Sequence, residues 1–349
     1  MRSLCFFLLF VFQIAIYGQP TPQFVDEIQL EKLKPESLQY YWLRIIDNGM
    51  SQPVTIPVIV ARGADPGPVL GMTAALHGNE LNGISVIHQV MAELDLKSLH
   101  GTIIAIPGLN AISIPLHQRR YFDKEDLNRN FPGKEKGNRS QQYVWQIGQK
   151  ILSKVDYLVD MHTASFGREN TFYVRSDLSD TTMAKMALLQ NADIVLNNKG
   201  VPSANEQISA TRTMRAEAVL KGIPTITIEY GNPQVFQPEL ISRGKTGIQN
   251  IMSWLGMNQD PIVTTQPAVI CKKSYWLYID QGGYLEVIAD LNQKVKKNER
   301  IAILRNPFGD LVREYFCPED GIVIGRSSNP VNMSGGRIIH LGILQNEDK

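Results

Sequence analysis

The chain has 349 residues, with 35 Lys plus Arg against 34 Asp plus Glu and 43% hydrophobic residues, so it can bury a large core and is not disordered as a whole. At roughly 100–200 residues per domain, that length allows two domains. A net charge of +1 argues against nucleic acid as a partner, because phosphate backbones demand a basic excess or stripe.

In chain order, residues 1–18 come first. Arg2 precedes an apolar run from Leu4 to Tyr17 that is broken only by Gln13. The run has the length of a signal-peptide core and is too short to cross a bilayer, and nothing later in the chain is a transmembrane span. Cleavage near Gly18 would export the protein to the periplasm or beyond. Export would allow Cys271 and Cys317 to pair, but spacing alone leaves pairing and two separate buried thiols equally open.

Residues 40–45 and 54–61 are rich in β-branched and aromatic side chains and flank Asp47-Asn48-Gly49, which predicts a hairpin. A buried strand over 69–76 leads through His77-Gly78-Asn79-Glu80 into a helix ending near Glu93. Further strands are predicted at 102–107, 155–161, 171–174 and 224–228, with helices near 141–152, 182–190 and 213–220. Strands alternating with helices of this length indicate an α/β sheet covered on both faces, here over residues 19–255. Residues 256–267, with Asn258, Pro261 and Pro267, have linker composition. Residues 268–349 show short strands between turns such as Gln281-Gly282-Gly283, which predicts a small all-β domain.

Four segments could carry chemistry. His77 and Glu80 stand at the mouth of a helix, three residues apart, where an imidazole and a carboxylate can converge on a metal. His162 ends a second buried strand, and Asp160, two residues earlier, shares its face and could accept the ring's free N–H. Glu229 ends a third strand, where an unpaired carboxylate is costly without a compensating charge or metal. All three fall at carboxyl ends of strands, the edge where open α/β sheets bind ligands. The fourth segment, Arg119-Arg120-Tyr121-Phe122-Asp123 running into Asp126-Leu127-Asn128-Arg129-Asn130-Phe131-Pro132-Gly133, is too polar for a core element. Its arginines could grip a carboxylate or polarise a carbonyl.

In this order, His77-Gly78-Asn79-Glu80, Asp126 to Gly133, Asp160-Met161-His162-Thr163 and Ile228-Glu229-Tyr230-Gly231 resemble the succinylglutamate desuccinylase/aspartoacylase family, relatives of the zinc carboxypeptidases. The resemblance runs from about residue 40 to 345. It implies a zinc-carboxypeptidase-like mixed sheet with helices on both faces and a barrel-sandwich-like C-terminal β domain. It further implies one zinc ion per chain on His77, Glu80 and His162, with Asp160 behind His162 and Glu229 as general base and then acid. Arg120 would polarise the scissile carbonyl, and Asn128 and Arg129 would hold the substrate carboxylate. Arg215 would assist them, with Arg212 as its rival. The implied reaction is hydrolysis of the amide of a small, carboxylate-bearing N-acyl amino acid by metal-activated water.

A zinc carboxypeptidase acting on short or cell-wall peptides fits the same motifs and the export signal. A non-catalytic binding protein is the third reading. A carrier of the biotinyl or lipoyl type is not, because the turn Arg305-Asn306-Pro307-Phe308-Gly309-Asp310 carries no lysine. Homo-oligomer formation is left open.

Overall fold

The computed structural model describes residues 21–200, 211–265 and 267–345. The predicted export signal, residues 1–18, and its predicted cleavage point lie outside the described residues. Ten strands precede residue 256: β1 (Gln23–Val25), β2 (Ser37–Asp47), β3 (Pro53–Arg62), β4 (Asp65–Ala74), β5 (His100–Ile106), β6 (Tyr157–His162), β7 (Arg168–Asn170), β8 (Phe172–Ser176), β9 (Ile194–Asn197) and β10 (Thr225–Tyr230). Between and after them run α1 (Asn82–Ala92), α2 (Arg139–Lys150), α3 (Thr181–Leu188), α4 (Met214–Leu220) and α5 (Pro238–Trp254). Eight strands follow, with no α-helix among the described residues: β11 (Val269–Tyr278), β12 (Gly283–Val287), β13 (Lys294–Val295), β14 (Arg300–Arg305), β15 (Leu311–Phe316), β16 (Gly321–Ser327), β17 (Val331–Asn332) and β18 (Arg337–Leu344).

The main sheet is ordered β1-β2-β3-β5-β4-β6-β10-β8-β9-β11-β18-β16-β13, with β7 paired to β16. It is mixed: β4, β6 and β10 are adjacent and mutually parallel, whereas β10 and β8 are antiparallel. A second, antiparallel sheet has the order β15-β14-β12-β17.

Side-chain alternation along the strands divides the part before residue 256 into two cores. Leu70, Met72, Val159, Met161, Ile226 and Ile228 face α1, α3 and α5. Val58, Val60, Ile104, Ile106 and Leu158 face α2 and α4. A strand buried on both sides reads as a continuous apolar run, which explains why these segments stood out in the sequence. The predicted hairpin forms as β2 and β3, and the predicted strands and helices fall within a few residues of their observed positions.

Among the elements not foreseen are β9 and the 17-residue helix α5. The latter carries Gly244 and Gly247 in its interior, which weaken its propensity signal. Both glycines let it pack closely: a Cβ at Gly244 would lie 2.6 Å from the Tyr230 ring, and one at Gly247 would lie 2.6 Å from Gln190. Its start signals, Pro238 and Glu239, and its apolar stripe Ile241, Ile248 and Ile251 were available in the sequence.

Four of the C-terminal strands, β11, β18, β16 and β13, continue the main sheet, while the other four form the second sheet. β11 pairs in parallel with β9, Val269 opposite Ile194 and Cys271 opposite Leu196. Cys271 packs with Tyr173, Ile194, Leu196, Ile322 and Ile324, while Cys317 belongs to the core between the two C-terminal layers. The two thiols are buried and free.

Candidate active site

Three neighbouring parallel strands, β4, β6 and β10, deliver their carboxyl ends to one point. His77 and Glu80 lie in the tight turn between β4 and α1, closed by the Glu80 amide donating to the His77 carbonyl at 3.1 Å. His162 is the last residue of β6 and sits in register beside Glu229 on β10. Asn82, at the start of α1, donates to the Tyr230 carbonyl at 2.8 Å and so ties the His77–Glu80 turn to the end of β10.

The ligand atoms of His77, Glu80 and His162 converge, and all three side chains are buried. Glu80 Oε2 lies 2.9 Å from His77 Nδ1 and 2.8 Å from His162 Nδ1, and the two Nδ1 atoms are 3.2 Å apart. The opposite edge of each ring meets a carboxylate. His77 Nε2 is 3.0 Å from Asp126 Oδ1, and His162 Nε2 is 2.9 Å from Asp160 Oδ2. Asp160 also accepts from Thr73 Oγ1 at 3.0 Å, which fixes it in turn.

That arrangement decides the tautomers. With both Nε2–H groups donated to carboxylates, both Nδ1 atoms present lone pairs to Glu80. Two lone pairs and a carboxylate packed this closely in a buried site call for a cation. A proton can stand in for that cation on His162: burial alone would lower its pKa, but Asp160 and Glu80 raise it well above the ordinary histidine range. Burial would raise the Glu80 pKa, yet His77, His162 and Arg119 hold it far below the usual carboxylate range. A His₂Glu set fits zinc, whose ligands at about 2.0–2.2 Å on a tetrahedron lie roughly 3.3 Å from one another.

Glu229 is the remaining acid in the site. Its Oε2 accepts from Asn170 Nδ2 at 3.3 Å, and its Oε1 lies 3.7 Å from Arg175 Nε. Burial raises its pKa above the usual range, and Arg175 and His162 only partly oppose that.

A cavity of about 500 Å³ opens over these groups. Arg119, Arg129, Arg168, Arg175 and Arg215 all line it, whereas the only acids among its described lining residues are Glu80 and Glu229. Asn128 lines it too, its Oδ1 accepting from the Met214 amide at 2.8 Å. Arg215 is buried and donates to the Asn198 carbonyl at 2.7 Å; burial and the neighbouring Arg175 lower its pKa to about 10. Its rival Arg212 points away and pairs with Glu217 at 2.9 Å.

Arg120 is displaced from its expected place. Its guanidinium donates to the Lys124 carbonyl at 2.9 Å and does not line the cavity. Tyr121 is locked into the core against Tyr143, which turns Arg120 outward and leaves Arg119 facing the site. Arg119 donates to Glu80 Oε1 at 2.6 Å and to Asp126 Oδ2 at 3.1 Å. It therefore occupies one oxygen of Glu80 and leaves the other to the imidazoles.

Sequence reasoning also missed Asp126 as the partner of His77, and Arg168, Asn170 and Arg175 on β7 and β8. Charged residues inside strand-forming sequence were the available signal, since an arginine on an inner strand needs a cavity. Trp276, from β11, is the contribution of the C-terminal part to the lining. Tyr284, on β12, is 48% exposed and does not line the cavity.

Comparison with known proteins agrees with this geometry. Among curated proteins, the N-alpha-acetyl-L-2,4-diaminobutyric acid deacetylase of Halomonas elongata is 22% identical over 282 residues, covering 78% of this chain and 81% of that protein. The product-bound structure of the ectoine utilization protein EutE from Ruegeria pomeroyi superposes with a TM-score of 0.79 at 19% identity, over 89% of this chain and 97% of that one. A succinylglutamate desuccinylase/aspartoacylase from Rhodobacter sphaeroides gives 0.79 at 21% identity, over 92% and 98%. Residues 66–255, more than half of the chain, match the model of the succinylglutamate desuccinylase/aspartoacylase catalytic domain. That stretch contains all four motifs, and the chain belongs to the succinylglutamate desuccinylase/aspartoacylase family.

Proposed function

We propose that this protein is a zinc-dependent deacylase of small N-acyl amino acids, exported after removal of its first 18 residues or so. The observation that carries the reading is the convergence of two carboxylate-pinned imidazoles on Glu80, with Glu229 on the adjacent strand. His77 Nδ1, Glu80 and His162 Nδ1 would hold the metal. Bound there, zinc supplies a Lewis acid that polarises an amide carbonyl and lowers the pKa of a water.

The chain's own residues do the rest. Glu229, its pKa raised by burial, accepts a proton from the attacking water and returns it to the departing amine nitrogen, work worth about 10²–10⁴-fold. Arg119, rather than Arg120, would stabilise negative charge developing on the carbonyl oxygen. Asn128, whose Oδ1 is taken by the Met214 amide, has its Nδ2 for the substrate α-carboxylate. Arg129 and Arg215 line the same cavity and would hold that carboxylate with it, fixing the amide against the base. The names of the relatives support an acylated amino acid as the substrate class.

The test is turnover of N-acetyl and N-succinyl amino acids against short unacylated peptides, by zinc-loaded protein. The deacylase reading expects release of free amino acid from the first group. Faster cleavage of the peptides would assign a carboxypeptidase instead.

A further inference from the structure

Glu229 lies on β10, but the side chain that addresses it comes from a strand held by the C-terminal part. β7 pairs with β16, with Ser327 opposite Arg168, Arg326 opposite Glu169 and Gly325 opposite Asn170. Two backbone bonds close the ends of this pairing: the Thr171 amide donates to the Ile324 carbonyl at 2.9 Å, and the Ser328 amide to the Gly167 carbonyl at 3.0 Å. The two-residue period of a strand then sorts the side chains. Arg168 and Asn170 line the cavity, whereas Glu169 does not and pairs with Arg326 at 2.9 Å. Thr171 Oγ1, next in the chain, donates to Asp193 at 2.6 Å, and Asp193 also accepts from Asn292 of the C-terminal part at 3.2 Å.

Asn170 is thereby presented to Glu229. It is buried, and its Nδ2 donates to Glu229 Oε2 at 3.3 Å, the only side-chain hydrogen bond that Glu229 makes among the described residues. Glu229 Oε1 is left on the other side, 3.7 Å from Arg175 Nε. A neutral amide donor fixes the orientation of a carboxylate without neutralising its charge, so the acid remains available as a base. Room for that amide comes from β16: a Cβ at Gly325 would lie 2.5 Å from Asn170 Oδ1 and 3.0 Å from the Glu169 carbonyl oxygen. The φ of Gly325 is not in the left-handed region, so space rather than backbone conformation calls for glycine there.

Building on the deacylase reading, we propose that Asn170 is a positioning residue for Glu229, set in place by β16 through Gly325, so that the C-terminal strands act on the chemical step. A glutamate side chain turns about three bonds, and misplacing a reacting group by about 1 Å can cost about 10²-fold in rate. The role concerns proton transfer and not the grip on substrate, so its loss falls on kcat and leaves KM in place.

The experiment measures kcat and KM on one N-acyl amino acid, together with zinc content and thermal unfolding, for the full-length zinc-loaded protein and its variants. Asn170→Ala and Asn170→Leu should each lower kcat by about 10–10²-fold, with KM within about threefold of wild type and zinc still bound. Asn170→Gln, which keeps the amide donor, should retain more of kcat than Asn170→Leu, which keeps the bulk without it. Gly325→Ala should lower kcat by about fivefold or more in the wild-type background, but by no more than about twofold in Asn170→Ala, where the crowded amide is gone. With kcat expressed per bound zinc, a partly unfolded preparation does not mimic these losses. A wild-type kcat in Asn170→Leu, or a loss confined to KM, would overturn the positioning role. Equal effects of Gly325→Ala in the two backgrounds would overturn its link to β16. Absence of turnover by the wild type on every N-acyl amino acid would instead overturn the deacylase reading on which the proposal rests.

Discussion

Adjacent residues in the arginine loop have opposite fates. Arg119 reaches Glu80 and Asp126, while Arg120 is spent on the Lys124 carbonyl at the surface. Arg119→Ala should therefore lower kcat/KM by about 10²–10³-fold, in the range of a lost oxyanion donor, and Arg120→Ala should stay within about threefold. Steady-state kinetics on one N-acyl amino acid would decide between them, and the reverse order would return the role to Arg120. Motif spacing located the loop but could not choose, because which of two neighbours faces inward is set by the burial of Tyr121. The candidate metal ligands were legible for the opposite reason: His77 and Glu80 follow one buried strand and His162 ends another, and the apolar runs of those strands announce them.

His340 yields a prediction about acid stability. Its ring is buried and neutral, and its pKa is pushed down to about 3. Below about 6.5 the unfolded chain binds a proton there that the folded chain refuses, so stability falls as pH drops from 6.5 towards 3. The slope is at most about 1.4 kcal/mol per pH unit for this one group. His340→Gln should flatten the dependence of the unfolding free energy over that window in denaturant titrations. An unchanged slope would place the acid sensitivity elsewhere.

At the scale of elements, the site depends on how closely α1 docks on the sheet. A Cβ at Gly83 would lie 2.6 Å from that of Met161 and 3.0 Å from that of Ala74. Both neighbours belong to the strands that bear the ligands, and Glu80 lies three residues before Gly83. Gly83→Ala should cost about 1–3 kcal/mol through overpacking, despite the better helix propensity of alanine. It should also loosen Glu80, so thermal unfolding and zinc retention during dialysis should fall together. Retained zinc with lowered stability would show that the ligand turn is independent of the helix. The strand order around this site could not be read from the sequence, because parallel neighbours such as β4 and β6 are 87 positions apart in register, Met161 against Ala74 being typical. Helix α5 escaped notice because its two glycines serve packing against Tyr230 and Gln190 rather than helix propensity.

At the scale of the molecule, one sheet passes from the catalytic strands into the C-terminal ones through β9 and β11. Trp276 reaches the cavity by way of that pairing, and a shared core of Tyr173, Ile194, Cys271 and Ile324 seals it. Calorimetry should accordingly show a single cooperative transition; two resolved transitions would mean that the C-terminal strands fold apart. The near balance of 35 basic and 34 acidic residues hides a strong local segregation. Five arginines line one cavity, and the carboxylates there are turned to the imidazoles or to Arg175 and Asn170. Charge composition gives only a near-zero net charge, and the fold reveals where the charges are gathered.

The central claim, a metal site worked by a glutamate on the neighbouring strand, is tested most directly by Glu229→Gln. Zinc content and hydrolysis of an N-acyl amino acid would be measured on the same preparation. The geometry predicts about one zinc per chain in both wild type and variant, with kcat reduced by about 10²-fold or more in the variant. A variant that hydrolyses substrate at the wild-type rate, or a wild-type protein that is active without metal, would contradict it.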